Sequence, residues 1–144
     1  MAKVISINIS DEKGMSKDPI QEGIFVESFG LEGDAHGGDW HRQVSILAQE
    51  SIDKIAARGI KDLFPGRFAE NITTEGIILH ELPVGMKLLI GETLQEVTQI
   101  GKKCHSRCGI YHTVGDCVMP KEGIFTKVIK GGRIKIGDLI KILG

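Results

Sequence analysis

The sequence is poor in aromatic residues and has no long apolar run. Its 144 residues include five Phe, one Trp and one Tyr, so the core must be built chiefly from Ile, Val and Leu. No apolar run approaches the roughly 20 residues that a membrane-spanning helix needs. Residues 1–4 lead directly into an alternating pattern, without the charged and apolar regions of a signal peptide. We therefore expect a cytoplasmic protein that does not enter a membrane.

The chain also has no excess of either charge. Lys and Arg number 18 and Asp and Glu number 19, which gives a formal net charge of −1. A general nucleic-acid binder would carry a basic surplus, and so would a polybasic membrane anchor. We expect neither, and any anion-binding site must be local.

Length and glycine content together predict the fold. A chain of 144 residues is long enough to bury a core and is expected to form a single domain over residues 1–144. The 19 Gly divide the chain into short segments, as tight turns do in an all-β protein. We predict a mainly β fold, a closed or nearly closed β-barrel with one or a few short helices.

Periodicity assigns the individual elements. Residues 49–58 have helical spacing, and Gly59 supplies a stop. Residues 11–21 are polar and predict an exposed loop. Strands are predicted at residues 4–9, 24–29, 43–47, 68–74, 87–90, 93–100, 123–129, 133–136 and 139–143.

Cysteine is scarce, with three residues in the whole chain, and all three lie in residues 101–117, the cysteine segment. In a reducing compartment this clustering favours thiol or metal chemistry over a disulfide framework. Cations beside a thiol lower its pKa and raise the fraction of nucleophilic thiolate. Cations could equally bind phosphate. Those adjacent to Cys104 and Cys108 are Lys102, Lys103 and Arg107.

Other interpretations of the cysteine segment remain open. The cysteines could be small buried hydrophobic residues, Cys117 above all. They could instead bind a structural zinc ion, because the segment offers enough soft ligands for a tetrahedral site. These ligands are Cys104, His105, Cys108, His112 and Cys117.

Two further segments concentrate polar residues. Residues 33–42 combine a Gly-Gly pair with His36, Arg42 and other ionisable side chains, which is typical of a ligand-binding loop or of a tight turn. Residues 67–74 contain Glu70 and Asn71, whose side chains can donate and accept several hydrogen bonds. A surface strand would explain the second pattern equally well.

Taken in order along the chain, these segments resemble the MOSC domain, named for the C-terminal domain of molybdenum-cofactor sulfurases. The resemblance covers nearly the whole chain. It rests on residues 30–38 (GLEGDAHGG), 42–47 (RQVSIL), 68–76 (FAENITTEG), 84–85, 88–91, the cysteine segment and 134–138 (IKIGD).

The resemblance implies a β-barrel whose cleft holds a cysteine that carries activated sulfur or ligates molybdenum. Cys104 is similar in context to the thiol of small bacterial members, and Cys108 to that of sulfurases and amidoxime-reducing proteins. The resemblance implies a molybdopterin-type molybdenum cofactor as the ligand. The residues expected to bind or shape its pocket are His36, Arg42, Glu70, Asn71, Lys102, Lys103 and Arg107.

The predicted function is cofactor binding, sulfur transfer through a cysteine persulfide, or both. Sulfurases carry a pyridoxal-phosphate desulfurase domain, for which these 144 residues leave no room. We expect a separate cysteine desulfurase as sulfur donor and a molybdenum enzyme as acceptor. Two alternatives are a non-catalytic module that delivers the cofactor and a zinc-stabilised or redox-active thiol protein.

Overall fold

The computed structural model describes residues 2–11, 17–35, 37–57, 59, 66, 68, 70–101 and 122–143. This part of the chain is mainly β. Its elements are β1 (Lys3–Ile9), β2 (Asp18–Ile20), β3 (Glu22–Val26), β4 (Gly30–Leu31), β5 (Val44–Ala48), α1 (Gln49–Ala56), β6 (Ile72–Glu75), a 3-10 turn (Leu79–Glu81), β7 (Lys87–Ile90), β8 (Thr93–Ile100), β9 (Ile124–Lys130), β10 (Gly132–Lys135) and β11 (Ile140–Leu143).

Eight of the strands form one sheet in the order β11-β7-β8-β9-β5-β6-β1-β2. Neighbours are antiparallel except β5 and β6, which are parallel and joined through α1. A parallel pair needs such a crossover, because a tight hairpin can only join antiparallel strands. The other three strands form a small sheet in the order β10-β3-β4.

The closed barrel that the sequence predicts is not confirmed. Within the described ranges no sheet closes on itself. The sheet nevertheless brings β1 beside the start of β11 through one isolated bridge, Lys3 to Leu139. Val4 N donates to Asp138 O at 2.8 Å, and Ile140 N donates to Ala2 O at 2.9 Å. The sheet is therefore strongly curved, and several backbone hydrogen bonds join β1 to the residues at the start of β11.

The core lies inside this curve and is aliphatic, as the shortage of aromatic residues predicts. All five residues of β5 are buried, because the strand lies between β9 and β6 and is covered by α1. Burying each Ile, Val or Leu side chain contributes about 1.5–3 kcal/mol. The main cluster includes Val4, Ile7, Val44, Ile46, Ile72, Leu88, Ile90, Val97, Ile124, Val128 and Ile134.

Hydrogen bonds hold both ends of α1, and the one at its C-terminal end involves Gly59, which the sequence predicts as a stop. Glu50 Oε2 accepts a hydrogen bond from Gly76 N at 2.8 Å, which ties the first turn of α1 to the end of β6. At the other end Gly59 adopts a φ of 84° and its N–H donates to Ala56 O. Left-handed φ values favour glycine, so the predicted stop is confirmed. Among the described residues no helix is long and apolar enough to cross a membrane.

Two element predictions are wrong in part. Residues 11–21 contain strand β2, and Lys17 has a fully buried side chain, so the segment is not simply an exposed loop. The strand predicted at residues 68–74 begins only at Ile72. Glu70 and Asn71 lie before it, in an irregular stretch held by side-chain hydrogen bonds and by backbone hydrogen bonds such as Asn71 N to Ser45 O at 2.8 Å.

Candidate functional site

The two described ends of the chain that flank the cysteine segment lie next to each other. Residues 102–121, with every cysteine, Lys102, Lys103 and Arg107, lie outside the described residues, as does His36. The described chain includes the two flanks. Gly101 N at the end of β8 donates to Gly123 O at the start of β9, at 2.6 Å. The base of the segment is therefore closed by a backbone hydrogen bond.

Arg42 lies beside this base, between two aromatic rings. Its guanidinium carbon is 4.8 Å from the ring centroid of Trp40 and 5.7 Å from that of Phe125. Phe125 is buried in β9, two residues after Gly123. Flat guanidinium groups stack well on aromatic faces and are attracted by them. The rings therefore hold the positive charge of Arg42 in place beside β9, near Gly123.

The guanidinium of Arg42 is not fully satisfied by the protein groups described. Its Nε is buried and has no hydrogen-bond partner within the described part of the chain. A buried donor left unpaired costs about 1–3 kcal/mol. An Arg side chain presents Nε and Nη donors as a fork that matches the oxygens of a phosphate or carboxylate. The arrangement is suited to an oxyanion.

A β-bulge fastens the Trp40–Arg42 stretch to the end of β8. The register of β8 against β9 shifts between Val97 and Gln99, so Thr98 is an extra residue. Its hydroxyl lies at hydrogen-bond distance from two carbonyls, those of His41 and Phe125. Bulges re-aim side chains and often lie beside active sites. Here the bulge places the Thr98 side chain on the backbone next to Arg42.

Glu70 is completely buried, and its carboxylate orders the turn before β6. It accepts hydrogen bonds from Gly66 N at 3.1 Å, Phe68 N at 3.2 Å and Thr73 Oγ1 at 2.9 Å. Burial raises the pKa of Glu70 from 4.5 to about 7, although these hydrogen bonds act in the opposite direction. Loss of water around the charged form outweighs the donors that the protein supplies.

Asn71 links three strands. Its Oδ1 accepts from Ser45 N at 3.0 Å and from Ser45 Oγ at 3.1 Å, and its Nδ2 donates to Asn8 O at 3.3 Å. Ser45 is the register partner of Phe125 in the β5–β9 pair. Asn71 therefore orders β5, which pairs with β9, the strand that carries the Phe125 ring beside Arg42. Asn71 is thus linked to Arg42 through Ser45 and Phe125, and Glu70 directly precedes Asn71 in the chain.

Residues 33–42, the glycine-rich loop, are anchored by a buried ion pair. Lys17 Nζ lies 2.7 Å from Asp34 Oδ1, and neither side chain is exposed. The same Oδ1 accepts from Ser10 N at 3.0 Å. The loop also packs closely, because a Cβ at Gly37 would lie 2.4 Å from the ring of Phe29. Asp34 is one of the ionisable residues that the sequence shows within residues 33–42, whereas Lys17 lies in the segment predicted to be an exposed loop.

A cleft of about 480 Å³ lies beside the other flank of the cysteine segment. Glu122 forms part of its wall and accepts from Ser51 Oγ at 2.6 Å and from Lys54 Nζ at 3.0 Å. The Ser51 hydrogen bond is the main cause that holds the pKa of Glu122 below its usual value. In the described ranges no group of three His, Cys, Asp or Glu residues is placed to hold a metal ion.

Sequence reasoning missed several residues of this region. Trp40 and Phe125 were passed over because only the fold shows that they flank one guanidinium. Thr98 and Gln99 had the signature of an ordinary strand, and a bulge leaves no mark in an alternating pattern. His41 was visible as one of several ionisable residues in the glycine-rich loop, but its partner Gln99 was not.

Comparison with known proteins agrees with this architecture. The family model described as "MOSC domain" matches residues 32–141. No curated protein matches the chain.

Three solved structures show the same fold. YiiM from Geobacillus stearothermophilus has 18% identity and a TM-score of 0.78, over 100% of this chain and 76% of that one. The YuaD protein from Bacillus subtilis has 19% identity and a TM-score of 0.76, over 99% and 96% of the two chains. YiiM from Escherichia coli has 19% identity and a TM-score of 0.70, over 100% and 70%.

Proposed function

Because the chain belongs to the MOSC domain family, we propose that it binds a pterin-based molybdenum cofactor and transfers sulfur through a thiol of its cysteine segment. The observation that carries the proposal is the unpartnered Nε of Arg42, held between two aromatic rings at the base of that segment. It provides a fixed cation, whose buried donor has no partner in the described part of the chain, near the base of the segment that contains the three cysteines.

The described residues fit such a cofactor at its anionic end. A phosphate oxygen would satisfy the buried donor of Arg42, and a guanidinium stays protonated at every physiological pH. Lys102, Lys103 and Arg107 would add positive charge, and His36 would lie in the adjoining glycine-rich loop. When bound, the cofactor supplies a molybdenum centre that accepts sulfur or thiolate ligands. Glu70 and Asn71 contribute by ordering β5 and β6 behind the site.

The sulfur-transfer step needs a thiolate and a donor persulfide. The thiolate of Cys104 or Cys108 attacks the outer sulfur of a persulfide on a cysteine desulfurase. A new S–S bond forms on this chain, the S–S bond of the donor breaks, and the donor cysteine leaves as a thiolate. No net oxidation occurs. Cations near the thiol favour the reaction because they lower its pKa.

The partners follow from this chemistry. The donor is a separate cysteine desulfurase, and the acceptor is a molybdenum enzyme whose cofactor requires sulfur. Both reactions belong in a reducing compartment, so we place the protein in the cytoplasm.

The proposed sulfur transfer is tested by incubating the protein with cysteine and a desulfurase and measuring cyanide-labile sulfur. We expect labile sulfur on the wild type and its loss in either Cys104→Ala or Cys108→Ala, whichever removes the carrier. Absence of labile sulfur on the wild type, or equal amounts on both variants, would rule out the carrier role.

The cofactor arm is tested by purifying the protein from a cofactor-producing host and measuring bound pterin. Removing the charge with Arg42→Gln should lower retained pterin about tenfold or more, since a hydrogen bond to a charged group contributes about 1.5–3 kcal/mol. Arg133→Gln is the matched control, because Arg133 is an exposed arginine on β10 that pairs with Glu22. Equal pterin on both variants would contradict the proposed role of Arg42. Pterin binding that survives loss of both thiols would favour a delivery module.

A further inference from the structure

The side chain of Gln99 joins the glycine-rich loop to the first residue of the cysteine segment. Gln99 Nε2 lies 2.7 Å from Gly101 O, and Gln99 Oε1 lies 2.9 Å from His41 Nε2. A backbone carbonyl can only accept, so the amide nitrogen of Gln99 must face Gly101. Its oxygen therefore faces His41, which must be the donor of the second hydrogen bond.

This arrangement fixes the hydrogen on the His41 ring. Because an amide oxygen only accepts, His41 Nε2 carries a hydrogen both in the neutral ring and in the protonated ring. The hydrogen bond to Gln99 therefore depends on the donor at Nε2 alone.

The same two segments are tied by a second, separate contact. The hydroxyl of Thr98 lies at hydrogen-bond distance from the carbonyl of His41, so backbone and side chain of that residue are both fastened to β8. His41 directly precedes Arg42 and stands edge-on to the ring of Trp40, with centroids 5.8 Å apart. A displacement of Gly101 is therefore transmitted to the residues that hold Arg42.

We infer that His41 is a positioning residue of the site, which acts through Gln99 to hold Gly101, at the base of the cysteine segment, in place relative to Arg42. The inference rests on the proposed function for its chemical consequence, but the link itself can be measured separately. The role of His41 is to donate one hydrogen bond.

The first measurement is amide hydrogen exchange at Gly101, whose N–H closes the base of the segment on Gly123 O. His41→Ala and Gln99→Ala should each raise the exchange rate about 3-fold or more, as expected for loss of one hydrogen bond. His41→Gln should restore slow exchange, since its amide can donate to Gln99 without a titratable ring. Gln21→Ala is the control, because Gln21 is exposed and directly follows β2, the edge strand of the eight-stranded sheet.

The second measurement is the pH profile of cysteine alkylation by iodoacetamide, with sulfur uptake from a persulfide donor alongside it. We expect slower sulfur uptake, by about 3-fold, in His41→Ala and Gln99→Ala. His41→Gln should match the wild type in uptake and in the shape of the alkylation profile. A merely structural histidine would not be rescued by glutamine in this way.

The outcomes separate the two proposals. If the wild type takes up no sulfur but Gly101 exchange rises in His41→Ala and Gln99→Ala, the proposed transfer fails and the positioning link stands. If exchange at Gly101 is unchanged in both variants, the inference is overturned whatever the sulfur result. A folded His41→Gln protein as impaired as His41→Ala would overturn it too.

Discussion

Lys17 Nζ and Asp34 Oδ1 lie 2.7 Å apart, and both side chains are completely shielded from solvent. The pair joins the segment before β2 to the loop that leads to Arg42. Removing one partner of a buried ion pair takes away the nearest opposite charge of the other, which is far more costly than the net contribution of the pair itself.

Asp34→Ala should therefore lower the free energy of unfolding by about 3–5 kcal/mol. Urea unfolding followed by fluorescence of Trp40, the one tryptophan, measures the change. Glu75→Ala is the control, because the Lys3–Glu75 pair is about half exposed at 3.5 Å and should contribute less than about 1 kcal/mol. Equal losses in the two variants would contradict the role assigned to Lys17 and Asp34.

Glu70 should make stability depend on pH in the direction opposite to that of an ordinary paired carboxylate. Its pKa in the folded protein is raised to about 7, so the fold favours the protonated carboxyl. The stabilisation is fully present below about pH 4.5 and is lost as pH rises to about 7. Because a shift of one pKa unit corresponds to about 1.36 kcal/mol, the shift of Glu70 corresponds to about 3 kcal/mol of unfolding free energy.

Glu70→Gln removes this titration and provides the measurement. The difference in unfolding free energy between wild type and variant should change by about 3 kcal/mol between pH 4.5 and 7.5, with the wild type losing stability as pH rises. Denaturant curves at several pH values give this difference directly. If the two pH profiles run parallel, the carboxyl of Glu70 does not titrate in that range.

Thr73 and Thr74 are adjacent and fully buried, yet their hydroxyls have different surroundings. Thr73 Oγ1 donates to Glu70 Oε2 and accepts from Asn8 Nδ2 at 3.2 Å. Thr74 Oγ1 has no hydrogen-bond partner in the described ranges. Replacing an unsatisfied buried hydroxyl by a methyl group of the same shape is neutral or stabilising.

Thr73→Val should lower the free energy of unfolding by about 1–3 kcal/mol, and Thr74→Val should leave it unchanged or raise it by up to about 1 kcal/mol. The two variants have identical chemistry, so each is the control for the other. Thermal and urea unfolding of both proteins would decide the matter. A Thr74→Val protein less stable than Thr73→Val would show that the hydroxyl environments are wrongly assigned.

Local pattern was a good guide to the strands that make hairpins. Residues 87–90 and 93–100 coincide with β7 and β8, and Gly91 between them has the positive φ that a tight turn favours. These elements follow from alternation and turn chemistry, both of which can be seen within a few residues. The buried strand predicted at residues 43–47 is likewise confirmed as β5.

What the sequence did not predict depends on distant partners. Lys17 is polar in a polar stretch, and its buried contact with Asp34 joins residues 17 positions apart. Strand β6 begins later than predicted, at Ile72. Directly before it, the side chain of Asn71 forms hydrogen bonds with the backbone of Ser45 and Asn8. The parallel pairing of β5 with β6 leaves no signature in either strand. The Arg42 environment combines Trp40 with Phe125, which belong to separate elements.

The hydrogen bond from Gly101 to Gly123 also has a consequence for the sheet. It continues the pairing of β8 with β9 past Ile100 and Ile124, up to the two glycines that flank residues 102–122. The register of these two strands is thus set by their own backbone contacts. Exchanging a cysteine for alanine between the two glycines should therefore change the chemistry of the protein and leave the pairing of β8 with β9 intact.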